Sequence, residues 1–555
     1  MMNRKQKDRT RAQESTNAIE KLYISMRHLF SRGFYKPMGV SGDTLRKSLL
    51  VLRPEIYGSI AESKTELNGL TYVIERLPEG IEECQFINLT ADEGYRNSQF
   101  TPIIPAKRRR NCYRIDKDQM VIEITRGRSE IYDILTHLTF LFIESHKIKE
   151  RVLLNDEGKT TREWKNLENT VLHNIELSNK ERDVLVVHLG SILGRTYDEV
   201  YAIHKNFATE ENQDRFFHLI YWLGKLAINE ELNDEKRSIR FSSVLNEEIG
   251  HHIYGEIWAN DIKEALFKNK LLDRPIHIIS ANMHSVMNSI YANNALPKEA
   301  KKTKEFELYE LLSNSNSKEI QTTVKNYASE NGLIYIKDKS GTNINVQIID
   351  TDKINFENTA FEKLNSKGEK PVIIVMDYAF GEQAYETMDE LLKPYKTVHL
   401  DVRSVSIMGK AGILEGGKGD IMIPSSHIFE GTADNYPFKN ELTKEDLEGF
   451  GVKVFDGSMI TVLGTSLQNK DLLHFFHDST WNVIGLEMEG AHYQKAIQAA
   501  SKIRGNIKED VKVRYAYYAS DNPLETGATL ASGGLGMSGV TPTYAITQKI
   551  LEQIF

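Results

Sequence analysis

Two hydrophobic rhythms divide the chain. Over residues 17–30 the apolar positions Ile19, Leu22, Tyr23, Met26 and Leu29 recur at helical spacing. Residues 130–154 repeat that pattern, with Ile134, Leu135, Leu138, Leu141 and Phe142 on one face. Further helices are predicted over 182–204 and 216–227, and short strands over 70–74, 85–89 and 120–124. Residues 1–250 therefore read as a mainly α-helical N-terminal domain. From residue 272 onward, short solid apolar runs take over. Pro275-Ile-His-Ile-Ile-Ser280, Gly332-Leu-Ile-Tyr-Ile336, residues 344–349 and Pro371-Val-Ile-Ile-Val-Met376 read as buried strands. A helix over 382–392 follows, then strands over 402–408, 420–423, 459–463, 483–484 and 513–519. Strands alternating with helices predict a largely parallel α/β sheet over residues 272–555.

Composition narrows the class. Hydrophobic residues make up 40% and charged residues 27% of the 555 positions, an ordinary soluble mixture. A net charge of −8 argues against a general nucleic-acid binder. Cys84 and Cys112 are the only cysteines, too few for a disulfide framework or a cysteine-based zinc site. No apolar run has the length of a membrane helix, and residues 1–15 lack the apolar core of a secretory signal. A soluble, cytoplasmic protein is expected.

Several stretches carry candidate chemistry. Val483-Ile-Gly-Leu-Glu-Met-Glu-Gly490 runs from a strand into a helix over 491–500, with Glu487 and Glu489 at the corner. Ligands of open α/β sheets bind at that edge, although a lone Glu-x-Glu reads first as a solvated acidic turn. In Met408-Gly-Lys-Ala-Gly-Ile-Leu414, Gly409 and Gly412 are expected to straddle a turn that faces an anion or a sugar hydroxyl. Val462-Leu-Gly-Thr-Ser-Leu-Gln-Asn469 is a polar loop after a strand. Val513-Arg-Tyr-Ala-Tyr-Tyr-Ala-Ser-Asp-Asn-Pro-Leu524 delivers Ser520 and Asp521 to a strand end.

Three other motifs carry less. Glu248 and His251 have Glu-x-x-His spacing, but no second set completes a metal site, so an exposed helix end or domain junction is expected. Lys107-Arg-Arg-Arg110 could meet a phosphate but reads first as a solvated basic loop. Gly534-Leu-Gly-Met-Ser-Gly539 lacks the preceding strand and the acidic residue about 20 positions on that a dinucleotide site needs. Residues 527–539 read instead as a mobile loop, followed by a helix capped by Thr541 with Pro542 in its first turn.

In order and spacing, the second-half motifs resemble the nucleoside phosphorylase and nucleosidase superfamily. Gly409-Lys-Ala-Gly-Ile-Leu414 with Gly419-Asp420 is similar to its G-[ST]-[AC]-G-G-L…GD segment. Leu486-Glu-Met-Glu489 is similar to its ribose-binding V-E-M-E, and Ser520-Asp521 to its purine-site S-D. Ala379-Phe-Gly-Glu-Gln-Ala384 stands where the family has a helix start. Ser520-Asp-Asn-Pro-Leu524 resembles the S-D-x-P-L of AMP nucleosidases, which also carry an extra N-terminal domain.

The resemblance implies a three-layer nucleoside phosphorylase-like α/β domain over 272–555 and cleavage of a purine N-glycosidic bond. It implies catalytic roles for Asp521, Glu489 and Glu487, a ribose site at Met488 and Glu489, and a base site at Leu467, Gln468, Ser520 and Asp521. Phosphate would fall to Lys410, Gly409 and His284. Two departures bear on the attacking group. Lys410 replaces the family's small hydroxyl residue, and the loop Ser280-Ala-Asn-Met-His-Ser285 has neither the phosphorylase arginine nor the nucleosidase glutamate. Hydrolysis is favoured over phosphorolysis, and a non-catalytic nucleotide sensor is the alternative of another class. The expected partners are a purine nucleoside or nucleotide, phosphate, and further copies of the chain. No metal, cofactor, nucleic acid or membrane is expected.

Overall fold

The structure is a computed structural model that describes residues 2–314, 316–364, 369–525 and 535–555, excluding the side chains of residues 2–10 and 305. The chain falls into two compact units. The first comprises Met1–Thr125, Glu130–His251 and Ser466–Leu472; the second comprises Arg126–Ser129, His252–Thr465 and Leu473–Phe555.

The first unit is rich in helices but contains a five-stranded sheet. Its strands are β1 (Phe34–Tyr35), β2 (Phe86–Thr90), β3 (Cys112–Arg114), β4 (Gln119–Glu123) and β5 (Ser238–Phe241), in the order β1-β5-β2-β4-β3. Its helices are α1 (Met2–Arg32), α2 (Asp43–Leu52), α3 (Leu67–Ile74), the bulk of α4 (Gly127–Val152), α5 (Arg162–Leu172), α6 (Asn179–Leu193), α7 (Tyr197–Phe207), α8 (Arg215–Leu232) and α9 (Ser243–Gly250). Residues 70–74, predicted as a strand, lie in α3. A five-residue apolar run does not separate strand from helix; here the Glu66 carboxylate accepts the N–H groups of Asn68 and Gly69 and starts a helix. The basic run is a loop that is solvated only in part, with Lys107 and Arg109 exposed and the other two arginines paired. Arg108 grips Asp133 through Nε and Nη2 at 2.8 and 2.7 Å, and buried Arg110 joins them at 2.8 Å. The α9 helix stops at Gly250, so Glu248 is helical while His251 lies beyond the last turn. Among the described residues no cluster of acidic, His or Cys side chains is arranged to hold a metal.

The second unit is built on a ten-stranded sheet. Its strands are β6 (Ile276–Ser280), β7 (Leu333–Ile336), β8 (Val346–Asp350), β9 (Val372–Met376), β10 (Val402–Ile413), β11 (Ile421–Phe429), β12 (Asp434–Pro437), β13 (Val454–Thr461), β14 (Val483–Glu487) and β15 (Lys512–Asp521). The path runs β12-β11-β13-β14-β10-β6-β9-β8-β7, and β15 pairs with β10 and β11. The sheet is mixed rather than largely parallel. β10 is parallel to β6 and β15 but antiparallel to β14, and β7-β8-β9 is antiparallel throughout. The link over 337–345 is shorter than the dozen or so residues a parallel crossover needs, so β7 and β8 close as a hairpin.

Solid apolar strands supply core to both faces of this sheet. Ile276 and Ile278 of β6 join one cluster with Trp258, Met388 and Tyr493, while Ile279 joins another with Val286, Val324 and Ile546. The helices of these clusters are α10 (Ile253–Lys268), α11 (Met283–Ala295), α12 (Pro297–Ala300), α13 (Glu305–Ser313), α14 (Lys318–Glu330), α15 (Gln383–Leu391), α16 (Lys444–Leu447), α18 (Gly490–Gln498) and α19 (Val540–Ile554); α17 (Lys470–Asp478) contributes to neither. The last helix begins at Val540 with Gly539 as its cap, not Thr541. Residues 526–534, within the stretch predicted as a mobile loop, lie outside the described residues. Among the described residues no helix is long and apolar enough to cross a membrane.

Candidate active site

Strand β10 brings the two motif-bearing strand ends together. Its Gly412 pairs with Asp521 of β15 on one side and with Leu486 of β14 on the other. Two strand spacings separate those neighbours, about 10 Å across the sheet. Glu489, two residues past the end of β14, and Asp521 thus flank one short segment of β10. The predicted turn at Gly409 and Gly412 is absent, because both glycines lie inside β10. A Cβ at Gly409 would meet only Tyr378 Cε1, at 3.6 Å, so its glycine answers to no turn. The turn comes later, where Gly416 and Gly419 have φ of +102° and +90°. Asp420 braces it by accepting the N–H groups of Gly417 and Lys453 at 2.9 and 3.1 Å.

The two glutamates of the corner do different work. Glu487 is buried and turned into the start of α18. It accepts the N–H groups of Glu489 and Gly490 and the Thr461 hydroxyl. Thr461 Oγ1 in turn accepts the Ala491 N–H at 2.8 Å. A carboxylate suits these otherwise unpaired helix-start donors. Burial still pushes its carboxyl up to about 7, against those hydrogen bonds. Both oxygens of Glu487, expected to be catalytic, are engaged by the chain itself. A Cβ at Gly490 would lie 2.2 Å from His427 Cδ2 and 2.8 Å from Glu487 Oε1, so this corner closes only on glycine.

Glu489 is half-buried and faces the other way. Its Oε1 accepts the Gly381 N–H at 2.8 Å. Burial, and then the charge of Glu487, push its carboxyl up to about 8, while the Gly381 hydrogen bond opposes that rise. Met488 is half-buried beside it, its methyl 4.0 Å from where a Cβ of Gly381 would stand.

Asp521 is held by one oxygen. Ser520 Oγ lies 2.5 Å from Asp521 Oδ1 and 3.1 Å from the Ala411 carbonyl. Oδ2 of Asp521 is buried and has no hydrogen-bond partner among the described residues. The next residue, Asn522, ties the strand end to the Gly416 carbonyl at 2.9 Å.

Lys410 and His284 line one cavity of about 530 Å³, together with Asn282, Lys325, Tyr518 and Tyr544. Lys410 is exposed at its wall. Lys325 comes from α14 and no motif marked it. Leu467 and Gln468 do not line this cavity. They are buried within Ser466–Leu472, which packs with the first unit. There the Gln468 carbonyl accepts the Glu55 N–H at 2.9 Å, and Asn469 bonds Ser15 and the Leu52 carbonyl. Glu489, Ser520 and Asp521 are not among the residues that line the cavity either. Like Lys325, Thr461 and Gly381 are residues that motif reading did not assign; Gly381 lay in the stretch singled out only as a helix start.

A family model described as a family of unknown function (DUF6909) matches residues 43–555. The chain belongs to DUF6909. No curated protein matches it. Among solved structures it is similar to the 5'-methylthioadenosine/S-adenosyl homocysteine nucleosidase of Campylobacter jejuni, at 12% identity, a TM-score of 0.31, and 51% and 98% coverage of this chain and that chain. It is likewise similar to the futalosine hydrolase of Helicobacter pylori strain 26695, at 12% identity, a TM-score of 0.30, and 51% and 98% coverage. The S-adenosylhomocysteine nucleosidase of Streptococcus pyogenes, solved with 5-methylthiotubericidin, gives 12% identity, a TM-score of 0.31, and 51% and 98% coverage.

Proposed function

We propose that the second unit of this DUF6909 protein hydrolyses the N-glycosidic bond of a purine nucleoside or nucleotide. The observation that supports this reading is the shared register at Gly412, which pairs with Leu486, three residues before the sugar-type carboxylate Glu489, and with Asp521, an acid whose buried Oδ2 has no partner among the described residues. Glu489 accepts hydrogen bonds from the 2′- and 3′-hydroxyls of the ribose, and Met488 packs against the sugar ring. As the C1′–N9 bond lengthens, positive charge grows on the sugar, and the fixed carboxylate beside it lowers the barrier. Asp521, protonated on Oδ2, gives its proton to N7, so that the base leaves neutral with the C1′–N9 electron pair. Ser520 holds the other oxygen of Asp521. Water adds its oxygen to C1′, and its proton passes to the carboxylate left on Asp521 or to solvent.

Lys410 and His284 on the cavity wall suit an anion, either a 5′-phosphate of the substrate or free phosphate. Free phosphate in place of water makes the reaction phosphorolysis. One experiment separates these readings: release of free base from AMP, adenosine, inosine and methylthioadenosine, each with and without phosphate. Release without phosphate is the expected result. Release only with phosphate converts the enzyme to a phosphorylase. Tight binding of one ligand with no release leaves a nucleotide sensor.

A further inference from the structure

We propose that Ser129, far from the motifs in sequence, is a positioning residue for Glu489 through the peptide at Gly381. The functional weight of this inference rests on the reading of Glu489 as the ribose carboxylate; its structural part does not. Arg126–Ser129 packs within the second unit, although the remainder of α4 belongs to the first. Ser129 is 5% exposed. Its Oγ accepts the N–H of Glu382 at 2.8 Å across a separation of 253 residues. The preceding N–H, that of Gly381, goes to Glu489 at 2.8 Å. Two consecutive amides are thus held by two side chains, and the orientation of the first depends on the second staying bound.

The fit between the segments is close. Gly381 has φ of +57°, and a Cβ there would fall 2.2 Å from Ser129 Oγ and 2.5 Å from Ser129 Cβ. The flanking residues grip the same loop. The Arg126 guanidinium lies 4.9 Å from the centre of the Phe380 ring, and Arg128 Nη1 lies 4.0 Å from Glu382 Oε2. Gly127, at φ +74°, leaves room for the Glu386 carboxylate, whose oxygens stand 3.0 Å from where its Cβ would be. Such a clasp matters most for a group that burial biases toward its neutral form. The Gly381 N–H favours the ionised carboxylate, the form that binds sugar hydroxyls as an acceptor. Glu487 of β14, Tyr493 of α18 and Tyr517 of β15 are the titratable groups that face Glu489, and none of them donates to it in place of Gly381.

The test replaces Ser129 with alanine in the full chain and reads Glu489 directly. Infrared titration of 13C-labelled glutamate carboxyls, differenced against Glu489→Gln in each background, gives the midpoint of Glu489. Ser129→Ala should raise that midpoint. It should also weaken binding of a ribonucleoside product analogue about tenfold, and narrow the preference for ribose over 2′-deoxyribose. An unchanged midpoint in a folded Ser129→Ala protein overturns the proposal. Amide exchange in the unsubstituted protein gives a second reading: Gly381 and Glu382 should be protected, and rapid exchange at both overturns it as well. Failure of the nucleosidase reading looks different, because the unsubstituted protein then neither binds nor cleaves ribosyl compounds while Glu489 still responds to Ser129.

Discussion

Gly381 donates its backbone N–H to the Glu489 carboxylate at 2.8 Å, from a backbone conformation with φ of +57°. Both the φ and the approach of Ser129 exclude a side chain there. Gly381→Ala therefore has to turn the peptide or push α4 away, and either motion withdraws the amide from Glu489. The variant is expected to fold, to lose about 1–2 kcal/mol of stability from the left-handed backbone and more from the contact with Ser129, and to bind ribosyl ligands about tenfold more weakly or worse. Calorimetric titration beside a thermal melt checks both; unaltered affinity would show that this amide does not serve the carboxylate.

Glu489→Gln keeps the shape and removes the charge. It is expected to lower kcat/KM by about 10²–10³, the scale of removing one preorganised electrostatic group from a transition state. The ribose to 2′-deoxyribose preference should collapse at the same time. Steady-state kinetics on paired ribo- and 2′-deoxyribonucleosides decides this, and a preference that survives the substitution counts against the ribose assignment.

Asp521→Asn tests the proton donor. Purine substrates, whose base must be protonated, should lose about 10²–10⁴ in kcat with little change in binding. A nitrophenyl riboside, whose leaving group needs no proton, should keep its rate. Equal losses on both substrates would make Asp521 structural.

Lys410→Ala addresses the cavity. A hydrogen bond to a charged partner contributes about 1.5–3 kcal/mol, so 5′-phosphorylated substrates, or phosphate itself, should bind at least about tenfold more weakly. Nucleosides lacking phosphate should be unaffected. Comparing AMP with adenosine in one assay makes the measurement, and equal effects on the two remove Lys410 from the anion site.

Glu386 predicts a pH dependence of stability. Burial, reinforced by Glu382, pushes its carboxyl from 4.5 up to about 8. The folded state therefore holds this proton more tightly than the unfolded chain. Its contribution is fully present below about pH 4.5 and is lost as pH rises through about 8. Glu386→Gln removes that loss, so its stability relative to the unsubstituted protein should rise between those limits and level off above them. Urea midpoints across the range give the curve, and a pH-independent difference would contradict the buried, protonated state.

Parts of the fold were legible because burial leaves a period in the chain. Residues 130–154 carry an apolar helical stripe and lie almost wholly in α4. Ile276, Ile278 and Ile279 form an apolar run, interrupted only by His277, because β6 is covered on both faces. The same run says nothing about strand direction, which is why the antiparallel pairing of β14 with β10 and of β7 with β8 came only from the structure. Gly409 and Gly412 read as a turn because glycine usually marks one. Here they extend β10 past the predicted end at residue 408, up to the point where Asp521 and Leu486 meet it.

The sequence by itself determined which residue types stand at the two strand ends. Glu489 follows β14 and Asp521 closes β15, and both positions can be read from a short apolar run and the polar residues after it. The tertiary structure decided what each neighbour does. Glu487 stands two residues before Glu489, and only the placement of Thr461 and of the Glu489 and Gly490 amides commits it to the helix start. The segment Ser466–Leu472 was drawn into the first unit by bonds of Gln468, Asn469 and Lys470 to partners more than 400 residues earlier. Ser129 reached Glu382 across 253 residues. Periodicity records whether a position is buried, because burial recurs with the repeat of the local element. A hydrogen bond from a distant side chain to a backbone N–H repeats nothing along the chain, and a backbone donor is the same at every residue but proline.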